Sequence, residues 1–243
     1  MKLTNKTAIV TGASGNGHGR SIALTLAREG VNVVINYKNS KSKAEEIVEY
    51  IEDNGGDAIA VKADIFVDKE CEILVNETIK KYGKVDILAI GPGAGWNTEA
   101  IDNLNVEKSL ADINNEIAPI YHFFPKVLPL MYQQKWGRII GISVLSNPPS
   151  PSHSYNVAKR ARTEALLQAS YEAWKNNVAI NVLSPGPVGQ IEQFDEAIDL
   201  TKKNDKWINR RNITPQDIAK TVLFLCSEEA AYITGTEINF RFK

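Results

Sequence analysis

Tyr155 and Lys159 stand four positions apart in the stretch Ser-Tyr-Asn-Val-Ala-Lys-Arg, Ser154 to Arg160. On an α-helix that step puts both side chains on one face. A phenol beside an ammonium is a candidate proton-transfer pair. A free tyrosine titrates near pH ~10, and a neighbouring positive charge favours the phenolate and lowers that value. Spacing alone also fits an ordinary helix start with an exposed lysine, so the surrounding elements must decide.

The chain has 243 residues, 43% of them hydrophobic, enough for one large core. A net charge of −1 lacks the basic footprint of a nucleic-acid binder. The two cysteines, Cys71 and Cys226, lie far apart in apolar helical contexts and read as buried free thiols. No metal site is expected. The N-terminal stretch lacks the apolar core of a signal peptide. No apolar run approaches the roughly 20 residues that span a bilayer. A cytoplasmic protein is the expectation.

Strand-like and helical patterns alternate. Strands are expected at Thr7–Thr11, Val31–Asn36, Ala58–Ala63, Val85–Ile90, Arg138–Ser143 and Val178–Leu183, with a last edge strand at Glu237–Phe240. Between them, Arg20–Glu29 carries one apolar face and ends at Gly30, and Ala44, Ile47, Val48 and Ile51 mark a second helix. Asp68 is placed to cap a third, running towards Tyr82. A long helical stretch leads to Met131, Tyr155 opens a helix reaching about Asn176, and Gln216–Ser227 is helical. Strands in this rhythm need crossover helices. The fold class is therefore α/β: one doubly wound domain over residues 1–243, with a mostly parallel sheet and helices on both faces. Ligands of such sheets bind outside the C-terminal strand ends, where the strand order switches.

The stretch Thr11 to Ala23, Thr-Gly-Ala-Ser-Gly-Asn-Gly-His-Gly-Arg-Ser-Ile-Ala, follows the first strand and opens the first helix. Its glycines allow a tight turn and close backbone approach. The helix N-terminus behind them suits a pyrophosphate. Strand before and helix after point to a dinucleotide.

With these motifs the chain resembles the short-chain dehydrogenase/reductase family, in overall pattern nearest the 3-oxoacyl-[acyl-carrier-protein] reductases. The likeness runs from Thr7 to about Gly235 and implies a Rossmann fold, a nicotinamide cofactor and an assembly of two or four copies, with the homotetramer preferred over the homodimer. It implies cofactor contacts at Gly12, Ser14, Gly17, His18 and Gly19, the loop carrying one residue more than the family's usual turn. It implies further contacts at the second and third strand ends (Asn36, Tyr37, Lys38; Asp64, Ile65), at the turn Gly91-Pro92-Gly93, and at Pro185, Gly186 and Val188. Tyr155 and Lys159 would serve both cofactor and catalysis. With neutral Asn36 where an acid would bind ribose hydroxyls, and Lys38, Lys41 and Lys43 nearby, NADP(H) is expected over NAD(H).

The departures concern the chemistry. Ser143, twelve positions before Tyr155, is expected to orient the substrate, with Ser146 as second candidate; Val144 stands where the family's usual serine would fall. Glu116 takes the place of the asparagine that completes the family's proton relay, with Asn115 adjacent. The family's Asn-Asn-Ala-Gly turn is Ile-Gly-Pro-Gly here. Residues 189–212 are expected to form a substrate lid. The implied activity is reduction of a ketone or 3-oxoacyl thioester with Tyr155 as proton donor and no nucleic-acid or membrane partner. The alternatives are a catalytically weak cofactor-binding member, or an enoyl or sugar dehydrogenase variant.

Overall fold

The computed structural model describes residues 3–91, 93, 95, 99–145, 152–203 and 213–241. Pro92, Ser146 and residues 204–212 of the expected lid lie outside them.

Seven strands form one sheet in the order β3-β2-β1-β4-β5-β6-β7, and every neighbouring pair is parallel. They are β1 (Thr7–Val10), β2 (Asn32–Tyr37), β3 (Ala58–Lys62), β4 (Ile87–Ile90), β5 (Gly137–Ile142), β6 (Val178–Pro185) and β7 (Glu237–Phe240). The crossovers contribute α1 (His18–Arg28), α2 (Lys41–Asp53), α3 (Asp68–Tyr82), α4 (Val106–Gln134) and α5 (His153–Ala173). Helices α6 (Phe194–Lys202) and α7 (Pro215–Cys226) follow β6.

The side-chain period of two along a strand separates the core into two layers. On β1, Ala8 and Val10 face a cluster with Ile22, Leu26, Ile47 and Val222 of α1, α2 and α7. Ile9 faces the opposite cluster, with Leu74, Phe123 and Leu166 of α3, α4 and α5. Sheet order reverses between β1 and β4, so the crevice opens where Thr11 and Gly91 follow those strands. Thr11 Oγ1 accepts from the Gly91 N–H at 2.9 Å and fixes the two strand ends together.

One local expectation is corrected. Asp68 does not cap α3. Val67 holds the cap position without a side-chain bond, and Asp68 lies inside the first turn, where its carboxylate pairs with Lys126 of α4. A carboxylate is favourable in that turn whether or not it caps.

Helix α4 runs 29 residues through Pro119, Pro125 and Pro129. Each proline lacks the N–H of an i→i−4 bond. Pro119 thereby releases the Asn115 carbonyl from the ladder, immediately before Glu116. Packing of α4 along α5 sets Glu116 against the face that carries Lys159.

Candidate active site

The glycine turn meets two geometric demands. Gly12 has a φ of 61°, a left-handed conformation that glycine adopts without strain. A Cβ on Gly19 would stand 2.7 Å from the Gly12 carbonyl oxygen and 3.0 Å from Ala13 Cα, so close approach of α1 to β1 requires glycine there. A Cβ on Gly17 would meet nothing within 4 Å. That open flank lies at the N-terminus of α1, whose cap makes no side-chain bond. His18 Nδ1 and Asn156 Oδ1 are buried polar atoms with no hydrogen-bond partner in the protein. An uncapped helix N-terminus, room beside Gly17 and the orphaned His18 Nδ1 next to it fit a dinucleotide phosphate.

Asn36 lies near the end of β2. It is buried. Its Oδ1 accepts from the Gly12 N–H at 3.2 Å, and its Nδ2 donates to the Ala63 carbonyl at 3.0 Å. The amide thus ties the glycine turn to the ends of β2 and β3. Tyr37 beside it is also buried. Lys38 is exposed, and its Nζ lies 2.7 Å from Asp64 Oδ2. Asp64 accepts from the Phe66 N–H as well, and these contacts with Lys38 and Phe66 outweigh burial to hold its carboxyl below the usual range. Lys43 Nζ donates to Asn16 Oδ1 at 3.4 Å, linking α2 to the glycine loop, and Lys41 pairs with Glu45. The carbonyl of Ile65 is occupied by His122 Nδ1 at 3.0 Å and Cys71 Sγ at 3.3 Å. Ser14 is buried within the turn.

On the far side of the crevice, Gly186 N–H donates to Phe240 O, and Val188 bridges Ile213. The Pro185 carbonyl accepts from Leu145 N–H, joining the ends of β5 and β6. The first part of the expected lid is docked on the glycine loop and α1. Ile191 N–H donates to Asn16 O at 3.1 Å, and Arg20 donates to the Ile191 carbonyl.

Tyr155 and Lys159 fall on the first turns of α5, with Lys159 Nζ 5.5 Å from the Tyr155 ring centre. Lys159 Nζ lies 2.8 Å from Glu116 Oε1. Arg162 Nη1 lies 3.2 Å from Glu116 Oε2, and Arg162 Nη2 donates to the Ile90 carbonyl at 2.7 Å. Glu116 and Arg162 side chains are 0% exposed and Lys159 is 8% exposed. One carboxylate is therefore shared by two cations in a nearly dry setting. Asn115 is only half-buried; the buried position facing α5 belongs to Glu116. Gly93 completes the packing: a Cβ there would stand 2.2 Å from Glu116 Oε2.

The expected lowering of the Tyr155 pKa is not what the free protein shows. Burial pushes the phenol above its ordinary range, Glu116 adds to the rise, and Arg162 opposes it. Lys159 is held below the usual lysine range by burial and by Arg162, with Glu116 opposing. His18 is pushed down to about 4 by burial and by the charge of Lys159. It is a neutral imidazole at physiological pH.

Ser143 follows β5, as the strand pattern implied, but its hydroxyl is turned onto α5. Oγ lies 3.0 Å from the Lys159 carbonyl and 2.7 Å from Thr163 Oγ1. Those bonds tie the end of β5 to the helix that carries Tyr155. Arg162 and Thr163 were not anticipated. The available signal was their step of three and four from Lys159, which puts them on the same side of α5.

The chain belongs to the short-chain dehydrogenase/reductase family of NAD(P)-dependent oxidoreductases, since residues 12–240 match the family model described as enoyl-(acyl carrier protein) reductase. It is 34% identical to a 3-oxoacyl-[acyl-carrier-protein] reductase of Staphylococcus epidermidis, over 97% of both chains. It is 30% identical to the 7alpha-hydroxysteroid dehydrogenase of Escherichia coli, over 97% of this chain and 92% of that one. A solved 7alpha-hydroxysteroid dehydrogenase, complexed with NADH and 7-oxo glycochenodeoxycholic acid, superposes with a TM-score of 0.84 at 29% identity, covering 98% of this chain and 93% of that one.

Proposed function

We propose that the protein is an NADP(H)-dependent reductase of a ketone or 3-oxoacyl thioester. The observation that supports this best is the setting of Tyr155. It stands on the first turn of α5 beside Lys159, after β5, on the same C-terminal side of the parallel sheet as the glycine turn that follows β1.

A bound nicotinamide nucleotide would supply the hydride. The chain's own part is to hold a proton where the carbonyl oxygen becomes negative. A phenol kept protonated by burial and by Glu116 is suited to donating at neutral pH. Lys159, fixed by Glu116, keeps a positive charge near that oxygen. The reverse reaction needs the phenolate and is disfavoured by the same two influences. Gly12, Gly17 and Gly19 with the start of α1 would receive the pyrophosphate, and Lys38 would meet a 2′-phosphate once it leaves Asp64. The 3-oxoacyl thioester class rests on the Staphylococcus relative; a steroid ketone is the other class its relatives' names indicate.

A second reading, a catalytically weak cofactor-binding member, is favoured by one observation: the Ser143 hydroxyl is engaged by α5. Consumption of NADPH and of NADH with acetoacetyl-coenzyme A, simple ketones and an oxo-steroid separates the two. Turnover of one of these supports the reductase. Tight cofactor binding without turnover of any would favour the second reading.

A further inference from the structure

Glu116 replaces an uncharged amide of the family with a carboxylate, and such a group placed alone against Lys159 would be free to turn away or to take the lysine with it. The structure supplies a third member. Arg162 reaches Glu116 with one nitrogen and the carbonyl ending β4 with another. Resting on the reductase reading, we propose that Arg162 is a positioning residue: it pins Glu116 against Gly93 so that Oε1 holds the Lys159 ammonium, and its own charge counters that of Glu116 at Tyr155.

Three observations carry this. Glu116 is fully buried, so it has no direct proton exchange with solvent and acts as an anchor for Lys159 and not as a relay to water. Both of its oxygens lie within ion-pair distance of a cation. Removal of either partner from such a cluster leaves a buried charge uncompensated. Among the described residues, the charged and titratable groups that face Tyr155 and Lys159 are Glu116 from α4, Arg162 on α5 itself, and His18 at the start of α1. His18 is neutral above its titration near pH 4. Glu116 and Arg162 therefore act on Tyr155 in opposite senses. A merely structural arginine would weaken the fold without moving Tyr155 in a fixed direction.

The test is a carbon-13 tyrosine NMR titration of the free protein, with Tyr155→Phe identifying the resonance, so that it needs no turnover. Glu116→Gln is expected to move the Tyr155 midpoint to lower pH by about one unit. Arg162→Met is expected to move it higher, and Arg162→Lys to return it towards wild type. Should Arg162→Met fail to fold, the double variant Glu116→Gln/Arg162→Met has no buried carboxylate left to strand, and its midpoint should lie above that of Glu116→Gln. Equal midpoints in those two variants, or a lower midpoint in a folded Arg162→Met protein, would overturn the proposal. Absence of turnover in the wild type would instead count against the reductase reading and leave the titration result standing by itself.

Discussion

Glu116 and Lys159 form an ion pair of 2.8 Å between two helices, with almost no solvent contact on either side. A buried pair of this kind is weak evidence for stability, because desolvation offsets much of the attraction. Its consequence is orientation: Lys159 is held in one place beside Tyr155.

The pair makes the reaction's pH dependence directional. Tyr155 sits above the ordinary tyrosine range, so its proton is retained at neutral pH and lost only on the alkaline side. Reduction needs that proton and should be flat through neutral pH. Alcohol oxidation needs the phenolate and should climb only on the alkaline side of the ordinary tyrosine range. Measured with 3-hydroxybutyryl-coenzyme A and NADP+, the rising limb of kcat should shift to lower pH by about one unit in Glu116→Gln. A limb shifted upward would contradict the assigned sign.

Gly93→Ala would drive a methyl group into Glu116 Oε2, 2.2 Å away. The carboxylate is held by two cations and has little room to yield. The expected result is a loss of about 100-fold in kcat through misplacement of Lys159. Unchanged kcat would show that Glu116 does not govern the lysine.

Two glycines of the cofactor turn should respond differently. Gly19→Ala brings Cβ within 2.7 Å of backbone and should lower stability by about 1–3 kcal/mol, read as a drop in Tm. Gly17→Ala opens onto free space and should leave Tm almost unchanged while weakening NADPH binding, read by fluorescence titration. Equal effects of both on Tm would refute the assignment of Gly17 to the ligand.

Lys38 and Asp64 predict a tunable cofactor preference. Asp64→Asn frees the Lys38 ammonium and should raise the NADPH-over-NADH ratio of kcat/KM. Lys38→Ala should lower it by about tenfold, the loss of one charge-assisted bond to phosphate. No change in the ratio for either variant would place phosphate selection elsewhere.

The fold was legible because the five inner strands of this sheet, β2, β1, β4, β5 and β6, are buried on both faces. Runs such as Val33–Ile35 and Ile139–Ile140 are then continuously apolar, and helices such as α1 and α2 carry one apolar stripe, whereas α5 buries Lys159, Arg162 and Thr163. Tyr155, Lys159 and the glycine turn were legible for a related reason: their positions follow from strand ends. What escaped depends on side-chain direction. Asn36 occupies the anticipated place, yet its amide turns inward because the Gly12 N–H and Ala63 carbonyl need partners. Ser143 likewise turns to α5. Arg162 was missed because a cation on a long helix ordinarily lies in solvent; only the packing of α4 on α5 buries it against a carboxylate 46 residues earlier.

The central claim is that Tyr155 delivers the proton. The most direct measurement is NADPH-dependent reduction of acetoacetyl-coenzyme A by Tyr155→Phe beside wild type, with NADPH affinity determined for both. A loss of about 100-fold or more in kcat is expected for Tyr155→Phe, with NADPH affinity retained. A Tyr155→Phe enzyme that reduces the thioester at the wild-type rate would contradict it.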